Sequence, residues 1–397
     1  MIMMQGKKML IKSPVDEVKK RENSFRIISS ILKQNGRNAL YDLTGLAGGF
    51  KLSQEDLDLL ETYAGPAVFE SELQNLGKEH LGGEKIIAFN RTTSGILATI
   101  LALVSSGDEI IHYLPKFPSH PSIPRSAALV GASYREFDNF DEFEIRDNTS
   151  LVVITGSTMD HDIIKEEEFL KIIELSKSKN IPVFVDDASG ARLRTVLYNQ
   201  PKAMDMGADL VITSTDKLMD GPRAGLMAGK GEIVDLVISK AHQFGLEAQS
   251  ATIVGIIRAI ESFSGERMLD AFAKKHMVYE AIKKGIDSIK ETPTGIMLSA
   301  DDLMVELKQK GVETEFSSAD VACVFAALLL RNYHIVTIPA VGMPGASPTI
   351  RIDLAAKDAE RVDKEYIVKA FIETFSHLNE IVNYKDACEL ILYEYDT

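Results

Sequence analysis

The 397-residue chain has two cysteines, Cys323 and Cys388, and neither stands in a CxxC pair or beside a histidine cluster. That scarcity excludes a disulfide framework and supplies no ligand set for zinc, so no metal is expected. Long apolar runs are also missing. The longest, around Ile96 to Val104, falls far short of the ~20 residues that span a bilayer. The opening MIMMQGKKML lacks a secretory apolar stretch and passes into charged sequence at Asp16 to Asn23, so a cytoplasmic protein is expected. No repeat recurs at a period of about 20–50 residues. No GxGxxG follows a strand-like run, which leaves TGSTMD (Thr155–Asp160) as the only hint of a nicotinamide site. Positive charge is scarce too: 44 Lys and Arg stand against 58 Asp and Glu, a formal net charge of −14. Such a field repels phosphate backbones, so nucleic-acid binding would need a local patch. Lys7–Lys8, Lys19–Lys20–Arg21 and Lys274–Lys275 with Lys283–Lys284 are the candidates, and solvated helix faces explain them as well.

What remains is ordinary globular composition, 45% hydrophobic and 26% charged, in a chain long enough for roughly two or three domains. Short β-rich runs, Ile86–Phe89, Glu109–His112, Leu151–Thr155, Ile181–Asp186 and Leu210–Thr213, alternate with apolar-periodic helical stretches at Ser94–Val104, Lys165–Ser178 and Leu197–Met206. That order predicts an α/β architecture, a mainly parallel sheet with helices on both faces and the strand carboxyl ends on one edge. Thr252 to Lys290 reads as one long helix or two, with a break at Ser264–Gly265. Beyond it, Leu303–Leu307, Val321–Val324, His334–Ile338 and Thr349–Leu354 read as strands and Ala359–Leu378 as a closing helix. Between them, the loop holding Pro339, Gly342, Pro344, Gly345 and Pro348 is rich in turn residues. The expected division is an N-terminal helical segment over 1–40, a large domain over 41–255, and a linking helix with a small α/β domain over 256–397.

Three strand-end segments carry chemistry. TSTDKLMDGPRAG (Thr213–Gly225) places Lys217 just after a strand; a lysine becomes a nucleophile when burial or a neighbouring cation disfavours its charge, though a surface lysine in a loop fits the same segment. IPVFVDDASGARLR delivers Asp186 to the same edge, where a carboxylate can face a protonated ring nitrogen or simply close a turn. FNRTTSGILATIL starts a helix near Thr93, Ser94 and Gly95, a site for phosphate or an ordinary capped helix. Taken together the three describe one ligand, pyridoxal 5'-phosphate: a phosphate at a helix start, a pyridinium beside a carboxylate and an aldehyde joined to a lysine.

Around Lys217 the string DKL…GP.AG, formed by Asp216-Lys217-Leu218, Gly221-Pro222 and Ala224-Gly225, resembles the bacterial selenocysteine synthases, the L-seryl-tRNA selenium transferases. The chain as a whole looks like an archaeal group of selenocysteine-synthase-like proteins. The resemblance implies the fold of type-I pyridoxal-phosphate enzymes, the aspartate-aminotransferase-like architecture. It makes Lys217 the Schiff-base lysine and Asp186 the partner of the pyridine nitrogen, with Thr93, Ser94, Gly95 and Ser214 at the phosphate. His120 would stack on the ring; Arg351 and Arg223 would meet substrate. Arg223 departs from the glutamine of those synthases, and GPR at this offset is closer to serine hydroxymethyltransferases. With the acidic charge, this favours a small amino-acid-like substrate over tRNA. The implied reaction is β-elimination or replacement in a homodimer at least. The alternatives are a small-molecule lyase or aldolase-type enzyme, and a binding or regulatory protein that keeps the fold without turnover.

Overall fold

The computed structural model describes residues 8–342 and 345–394. Lys7 of the amino-terminal basic pair and Pro344 of the turn-rich loop lie outside the described residues. Residues 46–266 form one compact unit, and the segments on either side of them form another.

In the first unit a seven-stranded sheet has the spatial order Lys85–Phe89, Gly225–Gly229, Leu210–Ser214, Val183–Asp186, Thr149–Thr155, Glu109–Tyr113, Ser133–Phe137. Gly225–Gly229 is antiparallel to both neighbours and all other adjacent pairs are parallel. Helices Ala64–Leu81, Glu166–Ser178 and Ser250–Glu261 cover one face; Thr92–Leu103, Ser122–Val130 and Gly231–Phe244 cover the other. Burial on both faces is why these strands read as unbroken apolar runs and not as alternation: Leu151, Val152, Val153 and Ile154 are all 0% exposed.

Two strands carried no legible signal. Gly225–Gly229 (GLMAG) begins and ends in glycine, which weakens any strand reading, and Ser133–Phe137 is a polar, half-buried edge. The helix expected over Leu197–Met206 does not form. The chain instead makes a π-turn at Leu193–Leu197, and Asn199 adopts a left-handed φ of 53° before Pro201 bars a return to helix.

Gly95 fixes how closely helix Thr92–Leu103 approaches the sheet. A Cβ there would lie 2.2 Å from Ile212 Cδ1 and 2.9 Å from Phe89 Cδ2. Gly95→Ala is therefore expected to destabilise the protein by about 1–3 kcal/mol through overpacking, read as a lower denaturation midpoint at unchanged denaturant slope.

The second unit holds an antiparallel sheet in the order Ile350–Asp353, Gly295–Leu298, Lys290–Thr292. Two of its expected strands are helical: Leu303–Leu307 lies in Ala300–Gln309, and Val321–Val324 in Ser318–Tyr333. Every side chain from Asp320 to Leu330 is buried, so this helix has no polar stripe, and periodicity alone cannot tell it from a buried strand. The caps do: the Ser299 and Ser317 hydroxyls each accept from the amide three residues on, at 3.1 Å, the mark of a helix start. Thr252–Lys290 resolves into helices Ser250–Glu261 and Glu266–Lys283, parted around Ser264–Gly265. No helix of the described residues is long and apolar enough to cross a membrane.

Candidate functional site

Shared strand direction in the first unit brings the ends at Phe89, Thr155, Asp186 and Ser214 to one sheet edge. Gly225 starts the returning strand there. Its missing Cβ, which would lie 2.9 Å from Thr92 Cα, lets that strand pass the start of helix Thr92–Leu103.

Asp186 is 7% exposed and its Oδ1 has no hydrogen-bond partner. Burial pushes its carboxyl up to about 6, against the opposing pull of the Lys217 charge; the neighbouring Asp187 pushes the same way as burial. Asp187 itself is paired. Arg194, fully buried, forks onto it at 2.5 Å and 3.2 Å. The geometry needs two glycines: a Cβ on Gly156 or Gly190 would sit 1.9 Å or 2.1 Å from Asp187 Oδ1. The glycine of TGSTMD thus makes room for a carboxylate, which removes the reason to read a nicotinamide site there.

Lys217 is half-buried in a closed loop between Leu210–Ser214 and Gly225–Gly229. The Thr215 hydroxyl donates to Pro222 O (2.7 Å), the Thr215 amide to Ala224 O (3.0 Å) and the Gly221 amide to Thr215 O (3.1 Å). Leu218, directly after the lysine, adopts φ 56°, a left-handed conformation costing roughly 1–2 kcal/mol for a branched residue. From the outer side, Leu46 pairs with Lys217 and the Ala47 amide donates to Asp216 O at 2.6 Å. The buried Ser214 hydroxyl donates to Asp216 Oδ1, and Arg223, 42% exposed, pairs with Asp216 Oδ2 through Nε at 3.2 Å. With its single proton committed to Asp216, Ser214 buttresses the lysine loop.

Helix Thr92–Leu103 has no side-chain cap: the Arg91 N-cap makes none. An uncapped helix start with Thr93 exposed and Ser94 half-buried is suited to an anion. The Ser94 and Gly95 amides already turn back to Arg91 O at 3.0 Å and 3.3 Å, and Gly95 faces the sheet. His120 lies close enough to Lys217 for the lysine's charge, after burial, to help hold its imidazole down at about 4, with Arg125 adding to the effect. Its Nδ1 accepts from the Ser122 amide at 3.2 Å, which puts the proton of the neutral ring on Nε2. Arg351 belongs to the other unit. It is 6% exposed, lies beside buried Asp353 and donates to Thr44 O at 3.5 Å. The missing Cβ of Gly45 there leaves space for the Asp353 carboxylate, which it would approach to 2.4 Å.

Sequence reading missed Arg192, Arg194 and His112. His112 is wholly buried, with Nε2 2.7 Å from the Thr155 hydroxyl and Nδ1 2.8 Å from Tyr134 Oη, and burial keeps it neutral. Two arginines in the segment GARLR, directly behind a strand-end acid pair, were the available signal, since a charge in a buried segment requires partners.

Comparison with known proteins follows the same division of the chain. Residues 284–363 match the model of the UPF0425 C-terminal domain and residues 130–256 that of L-seryl-tRNA selenium transferase. A UPF0425 pyridoxal phosphate-dependent protein of Methanosphaera stadtmanae is 50% identical over 379 residues, 96% of this chain and 99% of that one. The chain belongs to the UPF0425 family of pyridoxal phosphate-dependent proteins. An L-seryl-tRNA(Sec) selenium transferase of Caldanaerobacter subterraneus is 24% identical over 67% of this chain and 65% of its own, so the family is related to selenocysteine synthase. Among solved structures, a putative aminotransferase from Silicibacter pomeroyi superposes with a TM-score of 0.60 at 18% identity, covering 94% of this chain and 98% of its own. The fold is aminotransferase-like, and with family membership it makes this chain a pyridoxal phosphate-dependent enzyme.

Proposed function

We propose that Lys217 is the covalent anchor of pyridoxal phosphate and that the enzyme removes or replaces a β-substituent on a small amino-acid-like substrate. One observation carries the assignment: Asp186 is a buried carboxylate with an orphan oxygen, close to the Lys217 charge. An acceptor left without a donor in a dry site costs on the order of 1–3 kcal/mol, and a protonated ring nitrogen is the donor it lacks. When bound, the cofactor supplies an electron-accepting ring that stabilises negative charge developing on a substrate carbon. Asp186 Oδ1 keeps the proton on the ring nitrogen. Lys217 Nζ would move the substrate's α proton as general base. The open first turn at Thr93 and Ser94 would take the phosphate, Gly95 lets that helix sit close to the sheet, and Ser214 acts through Asp216. His120, neutral near pH 7, offers a flat ring and an Nε2–H donor. The relation to selenium transferases supports β-chemistry, and the charge of −14 favours a free amino acid over a tRNA-borne one.

On this reading residues 41–255 are the cofactor-carrying domain, 256–397 the linking helix and small domain, and 1–40 a helical lead. The enzyme works in the cytoplasm as a homodimer or larger homo-oligomer, with Arg351 on the small domain taking the substrate carboxylate. A lyase or aldolase-type reaction is the second reading. It is favoured by Arg223, which pairs with Asp216 through Nε at 3.2 Å and stays 42% exposed.

The test is an absorption spectrum from about 300 to 500 nm before and after borohydride, with peptide mapping of the adduct. A yellow band trapped on Lys217 is expected, followed by release of a β-substituent from one of a panel of small amino acids. Cleavage of β-hydroxy amino acids to glycine would instead establish the aldolase-type reading. A protein that holds the cofactor but never changes spectrum with any amine would be a binding or regulatory protein.

A further inference from the structure

We infer that Arg192 is a positioning residue for Lys217, its buried guanidinium fastening the backbone that carries the lysine; the inference rests on Lys217 being the cofactor anchor. A wholly buried arginine ordinarily forks onto a carboxylate, because an uncompensated buried cation costs several kcal/mol. Arg194, two residues on, does this with Asp187. Arg192 is equally buried, at 0% exposure, yet among the described residues no carboxylate lies within ion-pair distance of it.

Its guanidinium is given to three carbonyls instead. Nε donates to Lys217 O at 2.8 Å, and Nη2 to Ala188 O at 2.8 Å and Ser214 O at 2.5 Å. Those carbonyls are the lysine itself, the end of the strand leading into its loop, and the residue two after Asp186. One rigid planar group therefore sets the spacing between the segment bearing the acid and the segment bearing the amine. The peptide it holds is the strained one, since Lys217 O is followed by Leu218 at φ 56°, and such a conformation persists only where the surroundings over-determine it.

Packing alone does not require an arginine here. A methionine would fill the space without burying a charge, and burial lowers the Arg192 guanidinium to about 10 in spite of the distant help of Asp187 and Asp216. Nη1 is buried without a partner. His80 lies within reach of the Arg192 charge, which together with burial keeps its imidazole neutral, near 3.

The experiment uses the full-length protein with bound pyridoxal phosphate and two variants. Arg192→Lys keeps the charge and loses the planar fork. Arg192→Gln keeps amide donors, removes an unpaired buried charge, and for that reason is the variant expected to fold if the other does not. For each, thermal unfolding of the apoprotein reports the fold, cofactor retention reports the site, and the pH midpoint of the cofactor's absorbance reports the environment of the lysine amine. The expected result is a folded protein whose retention falls by about tenfold or more and whose absorbance midpoint moves by about one pH unit. A merely structural role would leave that midpoint in place. A midpoint that stays within about 0.3 pH unit of native in a folded variant would overturn the inference, whatever the retention. A borohydride adduct on some lysine other than Lys217 in the native protein would remove the anchor assignment, and the role of Arg192 with it.

Discussion

A Lys217→Ala protein is expected to fold, to bind pyridoxal phosphate only reversibly, and to show neither the yellow band nor a borohydride-fixed adduct. Lys217 is half-buried, and its loop is held by backbone bonds of Thr215, Gly221 and Ala47, by the Thr215 and Ser214 hydroxyls and by the Arg192 and Arg223 guanidinium groups, bonds that a truncated Lys217 side chain leaves in place. Loss of a general base alone costs about 10²–10⁴-fold in rate, and loss of the covalent anchor adds to it. Turnover should therefore fall to background while the thermal midpoint of the apoprotein stays close to native. Retention of the yellow band after borohydride and peptide mapping would sink the assignment, whatever the activity.

Asp186→Asn is expected to move stability and cofactor affinity in opposite directions. Burial lifts the Asp186 carboxyl from 3.8 to about 6, so the folded apoprotein holds this proton more tightly than the unfolded chain does. The stability contributed by the group is fully present below about pH 4 and is lost as the pH rises through 6. Asparagine has no proton to lose. At pH 8 the apo variant should be more stable than native by roughly 2–3 kcal/mol, and at pH 4 the two should converge. Cofactor affinity should fall by about 10- to 100-fold, the worth of a hydrogen bond to a charged group. Unfolding followed by circular dichroism at both pH values, with and without cofactor, reads both effects. An apo variant less stable than native at pH 8 would mean that Asp186 is not an uncompensated buried carboxylate, and its role toward a ring nitrogen would fall with that.

The two predictions differ in how far they could have been reached without coordinates. Lys217 and Asp186 were legible because each follows a short run of β-branched and apolar residues, and a run with both faces buried has few alternatives to an inner parallel strand. Whether Asp186 had a partner was not legible. Its orphan oxygen depends on Arg194 folding back onto Asp187 and not onto Asp186, a choice made by the π-turn at Leu193–Leu197 and by the space left at Gly156 and Gly190. Gly95 and Gly225 are visible as glycines in any reading. That one admits a helix to the sheet and the other admits a strand past that helix's first residue emerges only from their neighbours, Ile212 and Thr92.

The chain's local order of strands and helices determined the α/β fold, the sheet edge to which the strand ends run, and the three segments proposed to support pyridoxal phosphate. This is because period and chain direction are local properties that survive without knowledge of contacts. Only the tertiary structure decided that Ser318–Tyr333 is a helix and not a strand, that Gly225–Gly229 returns antiparallel between the edge strand Lys85–Phe89 and Leu210–Ser214, and that Arg192 serves carbonyls while Arg194 serves a carboxylate. The physical reason is common to all three: each is settled by which groups remain to satisfy a buried polar atom or cover an apolar face once the rest of the chain has folded around it.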